Sequence, residues 1–239
     1  MEPIRISSVT HAVPGKTLLH DLNLTLGEGR IGLIGRNGSG KTTLLRLMAG
    51  LVAPSSGTIR LGDSDPFADR KAALAKIGIL FQNPDHQILF PTVLEELAFG
   101  LIQQGHPRAM AQDAVRARLK AEGRAHWESA ATHSLSQGQK QYLCLLAILM
   151  MQPDTLLLDE PFAGLDLPTQ ARLERRLAEL PQRVVTISHD PASVRACDRV
   201  IWLEAGRLRM DGPAAPVIAA FEQEMARMGA VDADTDIGP

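Results

Sequence analysis

The hydrophobic pattern changes period several times along this chain. Residues 4–9 and 22–26 read as strands parted by a turn at Pro14-Gly15, and Arg30-Ile31-Gly32-Leu33-Ile34 reads as a short buried strand. Residues 43–48 read as a helix that ends near Gly50. Pro54-Ser55-Ser56-Gly57 is a turn, and 58–61 and 77–81 are strands. Val93, Leu94, Leu97, Ala98 and Leu101 recur at helical spacing. Pro107 opens a charged amphipathic helix to residue 121, with Arg108, Arg116, Arg118 and Lys120 on its solvated face. A long helix runs from Leu135 into Pro153, followed by a buried strand at 155–158, a helix at 168–180 and a strand at 184–187. A strand pair, 199–203 and 207–210, turns at Ala205-Gly206. A last helix spans 213–228, and an acidic tail begins at Asp232. Strands alternating with helices predict an α/β fold around a largely parallel sheet, with the helix-rich stretch 81–136 as a helical subdomain.

Composition narrows the partners rather than the fold. A net charge of −2 offers no basic excess to drive counterion release, which argues against nucleic acid. Cys144 and Cys197 fit no metal-ligand spacing and read as reduced thiols of a cytosolic protein; the seven histidines are scattered and suggest no metal site. Met1-Glu2-Pro3-Ile4-Arg5 lacks the charged-then-apolar order of a signal peptide. The longest apolar run, 142–151, is about half the length that spans a bilayer.

The chemistry starts at Gly35-Arg36-Asn37-Gly38-Ser39-Gly40-Lys41-Thr42, which fits G-x-x-x-x-G-K-[ST] between a strand and a helix. Such a loop aims successive backbone N–H groups and a helix N-terminus at a polyphosphate. Lys41 would reach the β- and γ-phosphates, and the Thr42 hydroxyl would ligate Mg²⁺. Leu156-Leu157-Leu158-Asp159-Glu160 is an apolar strand ending in two acids: Asp159 is placed to hold Mg²⁺ through water, and Glu160 to polarise an attacking water. His189, at the end of another strand, could contact a γ-phosphate or be structural. Gln82 could ligate Mg²⁺ or hold the attacking water, or lie in a plain turn. Ser136 is a good N-cap, and Gly138 leaves that helix N-terminus uncovered, either as a second anion site or as an ordinary cap.

Taken in order, these pieces resemble the nucleotide-binding domain of ATP-binding-cassette (ABC) proteins, from Ile4 to about Gly212. The resemblance implies a P-loop NTPase fold in a single domain, 1–239, with an N-terminal antiparallel β subdomain, a helical signature subdomain at about 82–150 and a short C-terminal helix and tail at 213–239. It makes residues 35–42 the Walker A loop, with Arg36, Asn37, Gly38, Ser39, Gly40, Lys41, Thr42 and Thr43 around ATP. Gln82 becomes the Q-loop residue, and Leu135-Ser136-Gln137-Gly138-Gln139 the signature. Walker B is 156–159, with Glu160 as catalytic glutamate. Ala163-Gly164-Leu165-Asp166 is the D-loop, and His189 the switch histidine.

Mg²⁺ would be held by Thr42, Gln82 and Asp159. In the family, Ser136, Gly138 and Gln139 of one subunit close on the Walker A loop of another. The resemblance therefore implies a homodimer, or a dimer with a similar ATPase. Two positions depart from the pattern. Gln137 replaces the first of two glycines, and Val13 stands where an aromatic residue stacks on adenine, with His11 close by. Adenine would then be held by aliphatic contact or by His11, and GTP would be used nearly as well as ATP.

Phe81-Gln82-Asn83-Pro84-Asp85-His86-Gln87 resembles the segment of ATPases that power energy-coupling-factor importers of vitamins, cobalt and nickel; Thr92 to Gly100 and Gly138-Gln139-Lys140-Gln141 also match. That resemblance implies a transmembrane coupling subunit, a membrane solute-binding subunit and a place on the cytoplasmic face of the cell membrane. An apolar groove floor at Ile88, Leu89 and Phe90 would receive the coupling helices. The end soon after Met228 resembles the shorter type found with dedicated biotin or metal importers, and resemblance alone favours the biotin importer, with cobalt or nickel as alternatives. A soluble ABC ATPase of DNA repair or translation would carry two cassettes or a coiled-coil insertion. A small-molecule kinase would have no use for a signature.

Overall fold

The computed structural model describes residues 1–229; the acidic stretch from Asp232 lies outside them. The chain forms two units, one of Met1 with residues 68–184 and one of residues 2–67 with those from Val185.

The second unit opens with a hairpin. β1 (Ile4–Val13) and β2 (Lys16–Leu26) pair antiparallel across Pro14-Gly15, and β4 (Ser56–Leu61) pairs antiparallel on the other side of β1. Both hairpin strands extend beyond the expected 4–9 and 22–26. The reason is local: β1 shifts register at three points against β2, and Ser8 and Asp21 take positive φ. Such bulges break the alternation by which a strand is read. β3 (Arg30–Ile34) is buried and coincides with the expected strand. It pairs parallel with β8 (Arg199–Glu204), which pairs antiparallel with β9 (Arg207–Gly212). Between β3 and β4 lies α1 (Lys41–Met48), and after β9 comes α7 (Ala214–Gly229). The apolar face of α7 (Val217, Ile218, Phe221) closes over Ile34, Val200 and Trp202, and Trp202 meets Phe221 edge-on at 5.4 Å.

The first unit is built on β5 (Ile77–Leu80) and β6 (Thr155–Asp159), parallel partners in register from Ile77↔Thr155 to Leu80↔Leu158. α2 (Arg70–Lys76) precedes β5 and was not legible in the pattern: it is two turns long and buries only Ala73, so no apolar stripe announces it. α3 (Val93–Gln103) and α4 (Arg108–Ala121) pack around Leu97, Val115, Leu119 and Trp127 against one side of α5 (Gln137–Met150). The other side of α5 packs with Leu80, Leu156 and Leu158 and with Leu173 and Leu177 of α6 (Leu167–Ala178). A helix covered on two sides is apolar nearly all round, which is why 142–151 has the longest apolar run. β7 (Arg183–Ser188) is buried throughout and carries the chain from the first unit to the second.

Candidate functional site: a phosphate loop, a two-acid strand end and a capped helix

In the second unit, the glycine-rich loop joins β3 to α1. Unlike the caps of α3, α5 and α6, that of α1 is a glycine with no side-chain cap, and its first turn holds no acid. A helix start with neither a side-chain cap nor an acid suits an external anion. Gly40 has φ 100°, and a Cβ on it would lie 2.6 Å from Leu19 Cδ2 and 3.1 Å from Leu18 O. Gly40→Ala is therefore expected to cost about 2 kcal/mol in left-handed strain and overpacking. A thermal melt of the full chain should drop by about 5 °C, and an unchanged midpoint would mean that the loop relaxes freely.

The loop is braced from behind: the turn between β8 and β9 donates Gly206 N–H to Ser39 O at 3.0 Å and accepts from His20 N–H at 2.9 Å. Lys41 is 7% exposed, and its Nζ donates to Gly35 O at 2.6 Å and Arg36 O at 3.0 Å. Ser39 Oγ is buried with no hydrogen-bond partner. A buried orphan hydroxyl beside a buried ammonium at a helix start fits a polyphosphate. Arg36 and Asn37 share a cavity of about 460 Å³ with exposed His189, Pro191 and the α7 residues Phe221 and Met225. The loop and the histidine thus face one space. Val13 is 40% exposed, and the His11 ring meets Ala53 O through Nδ1 at 3.1 Å.

In the first unit, all five residues of β6 are buried, and the strand delivers Asp159, 8% exposed, at its C-terminal end. Glu160 follows at φ 47°, the left-handed region that a residue with a Cβ enters at a cost of about 1–3 kcal/mol. Gln82 is exposed just past β5. The loop after it is latched by Gln87, whose side chain continues the strand edge: Oε1 accepts from Phe81 N–H at 3.1 Å and Nε2 donates to Ile79 O at 3.2 Å.

α5 starts with a capping box. Ser136 Oγ accepts from Gln139 N–H at 3.3 Å, and Gln139 Oε1 accepts from Ser136 N–H at 2.8 Å. The Ser136 hydroxyl proton stays available to an acceptor. Gly138 admits no side chain, because a Cβ would lie 2.5 Å from Thr169 Cγ2. Gln137 donates through Nε2 to Ala163 O at 3.4 Å. Asp166 caps α6 through Thr169 N–H at 2.9 Å, and hydrogen bonds from Thr169 hold its carboxyl below the usual carboxylate range.

The sequence did not show what some residues hold in place, although two of them lie in segments that carry the resemblance. Gln141, 2% exposed, donates from Nε2 to Pro161 O at 3.3 Å and Phe81 O at 3.5 Å, tying α5 to the segments beside Glu160 and Gln82. Glu96, 6% exposed, accepts from Leu89 N–H at 2.8 Å and Phe90 N–H at 2.9 Å through one oxygen. Of the expected groove floor, Leu89 is 68% exposed, whereas Ile88 packs inward and Phe90 meets the Phe99 ring at a tilt, 5.0 Å between centroids. Both cysteines are free, and burial pushes each thiol up to about 12, which leaves neither as a nucleophile.

Residues 19–163 match the family model described as ABC transporter. The chain belongs to the ABC transporter ATP-binding family. As an ABC ATPase its reaction is ATP hydrolysis coupled to transport, and its two sheets and interleaved helices are the ABC ATPase fold. It is 50% identical over 233 residues to the biotin transport ATP-binding protein BioM of Rhodobacter capsulatus, covering 96% of this chain and all of that one. It is 39% identical to the nickel import ATP-binding protein NikO of the same organism, covering 90% of each. Among solved structures, cbiO1 of Clostridium perfringens, part of the ABC transporter complex cbiONQ, superposes with a TM-score of 0.78 at 30% identity, covering 96% of this ABC chain and 95% of that one.

Proposed function

We propose that this ABC ATPase is the energy-coupling subunit of an energy-coupling-factor importer whose solute is biotin. The 50% identity to a biotin transport ATP-binding protein along that protein's entire length carries this reading. ATP lies on residues 36–43, with Lys41 on its β- and γ-phosphates and the orphan Ser39 hydroxyl satisfied by a phosphate oxygen. Thr42, Gln82 and Asp159 would hold Mg²⁺, which would supply positive charge to offset that of the phosphates. Glu160 takes a proton from water as its oxygen bonds to the γ-phosphorus. The bond from that phosphorus to the β–γ bridging oxygen breaks, leaving ADP and phosphate. His189 steadies the γ-phosphate. Ser136, Gly138 and Gln139 come from a second copy or a similar ATPase, together with Asp166, so hydrolysis requires two subunits.

No helix among the described residues is long and apolar enough to cross a membrane. The subunit works at the cytoplasmic face, bound to a transmembrane coupling subunit beside a solute-binding subunit, with Leu89 as the exposed apolar contact. With Val13 in the place of the stacking aromatic, GTP turns over at a rate within a few-fold of ATP. A GTP/ATP ratio far below one, measured on the purified dimer, would contradict this. Nickel or cobalt is the second solute, favoured by the 39% identity to a nickel import protein. Uptake of labelled biotin, nickel and cobalt by cells lacking the gene decides. Biotin uptake should fall and return with the intact chain, but not with Lys41→Ala. Loss of metal uptake alone would transfer the subunit to that solute.

A further inference from the structure

The first unit holds a second cavity, of about 460 Å³, beside the N-terminus of α5. Its lining includes Ser136 and Gln139, Asp166 and Arg172 at the start of α6, and Arg124, Trp127 and Tyr142. The Arg124 guanidinium carbon lies 4.4 Å from the Tyr142 ring centre and 5.0 Å from that of Trp127. The two rings stand edge-on, 6.4 Å apart. Tyr142 is held by its hydroxyl, which donates to Glu122 at 2.6 Å, and Trp127 is 7% exposed. Arg124 Nε is buried and makes no hydrogen bond. A planar cation backed by two fixed aromatic rings is a platform on which a nucleotide base stacks, with little regard to which base it is. The volume lies within the ~300–1,000 Å³ of small-molecule sites.

The second unit has the complementary deficiency. Its phosphate loop has no aromatic at Val13, and the His11 ring is engaged by Ala53 O. One unit thus offers a phosphate site without a stacking surface, and the other a stacking surface beside the helix start that closes on a second copy's phosphate loop. We propose that the base of a nucleotide held by one copy's phosphate loop stacks on the Arg124–Trp127–Tyr142 surface of the second copy. This rests on the shared-site reading above. It also gives a physical reason for similar use of ATP and GTP, since stacking is base-tolerant.

Mixed dimers test it. All subunits carry Glu160→Gln so that ATP persists, and two populations carry donor and acceptor dyes that report pairing. In the first pairing, Lys41→Ala subunits meet Arg124→Ala subunits, so the only intact loop faces an intact Arg124. In the second, Lys41→Ala/Arg124→Ala subunits meet parent subunits, so the only intact loop faces the altered cavity. Half-maximal pairing should need about tenfold more ATP in the second case than in the first. Equal values, or the reverse order, overturn the proposal, because Arg124 would then act within its own subunit or only on its fold. If Arg124→Ala does not fold, exposed His126→Ala, which lines the same cavity, goes through the same two pairings with the same order expected. Parent subunits that fail to pair with ATP at all remove the shared-site reading itself, which is a separate failure.

Discussion

Glu160→Gln lowers ATP turnover roughly a thousandfold, the size of a lost general base, while ATP binding persists. The two effects separate because the amide keeps the shape of the acid and its φ of 47°, so β6 and the turn after it are undisturbed. What disappears is the group that accepts the proton of water. Because product release no longer follows, the nucleotide stays between two copies, and size-exclusion chromatography with ATP and Mg²⁺ shows a dimer that dissolves when nucleotide is removed. A variant that remains monomeric with saturating ATP would mean that the helix start at Ser136 does not complete a second copy's site. Full turnover would remove Glu160 from the reaction.

Leu89→Glu abolishes uptake and leaves the ATPase of the isolated subunit intact. Leu89 is 68% exposed, so in the free chain a carboxylate there stays in water and alters stability by no more than about 0.5 kcal/mol. Its backbone does not move, because Glu96 and Thr132 hold Leu89 and Phe90 through three hydrogen bonds of 2.8 to 2.9 Å. Against an apolar helix of a membrane subunit the same carboxylate would be buried without a partner, at a cost of about 3–5 kcal/mol, more than a hundredfold in docking. Uptake in cells and ATPase of the purified chain are measured side by side. Normal uptake would show that Leu89 faces solvent in the working complex, and loss of both activities would show that the change disturbs the fold.

How far the chain could be read depended on whether structure follows local pattern. The strand at Arg30–Ile34, the apolar α5 and the strand delivering Asp159 were legible because each is a run of one character bounded by glycine, proline or acid. The hairpin strands were underestimated where Ser8 and Asp21 bulge, and α2 was missed because two turns with one buried alanine make no stripe. The phosphate loop and the two acids showed in sequence because their spacing is the chemistry. The contacts of Gln141 and Arg124 did not, because each acts on a group distant in the chain: Gln141 on Phe81 O, 60 residues back, and Arg124 on Tyr142. A glutamine or arginine in a polar neighbourhood gives no sign of what it will meet after folding.

An ATPase that works as part of a membrane importer stays bound to its membrane subunits when extracted gently. The most direct measurement is affinity purification of the intact chain from its native membranes in mild detergent, with mass spectrometry of the polypeptides that accompany it. Two membrane proteins should accompany it, a transmembrane coupling subunit and a small polytopic subunit that binds biotin when purified. A preparation accompanied by soluble proteins alone, or by nothing, would contradict the importer assignment.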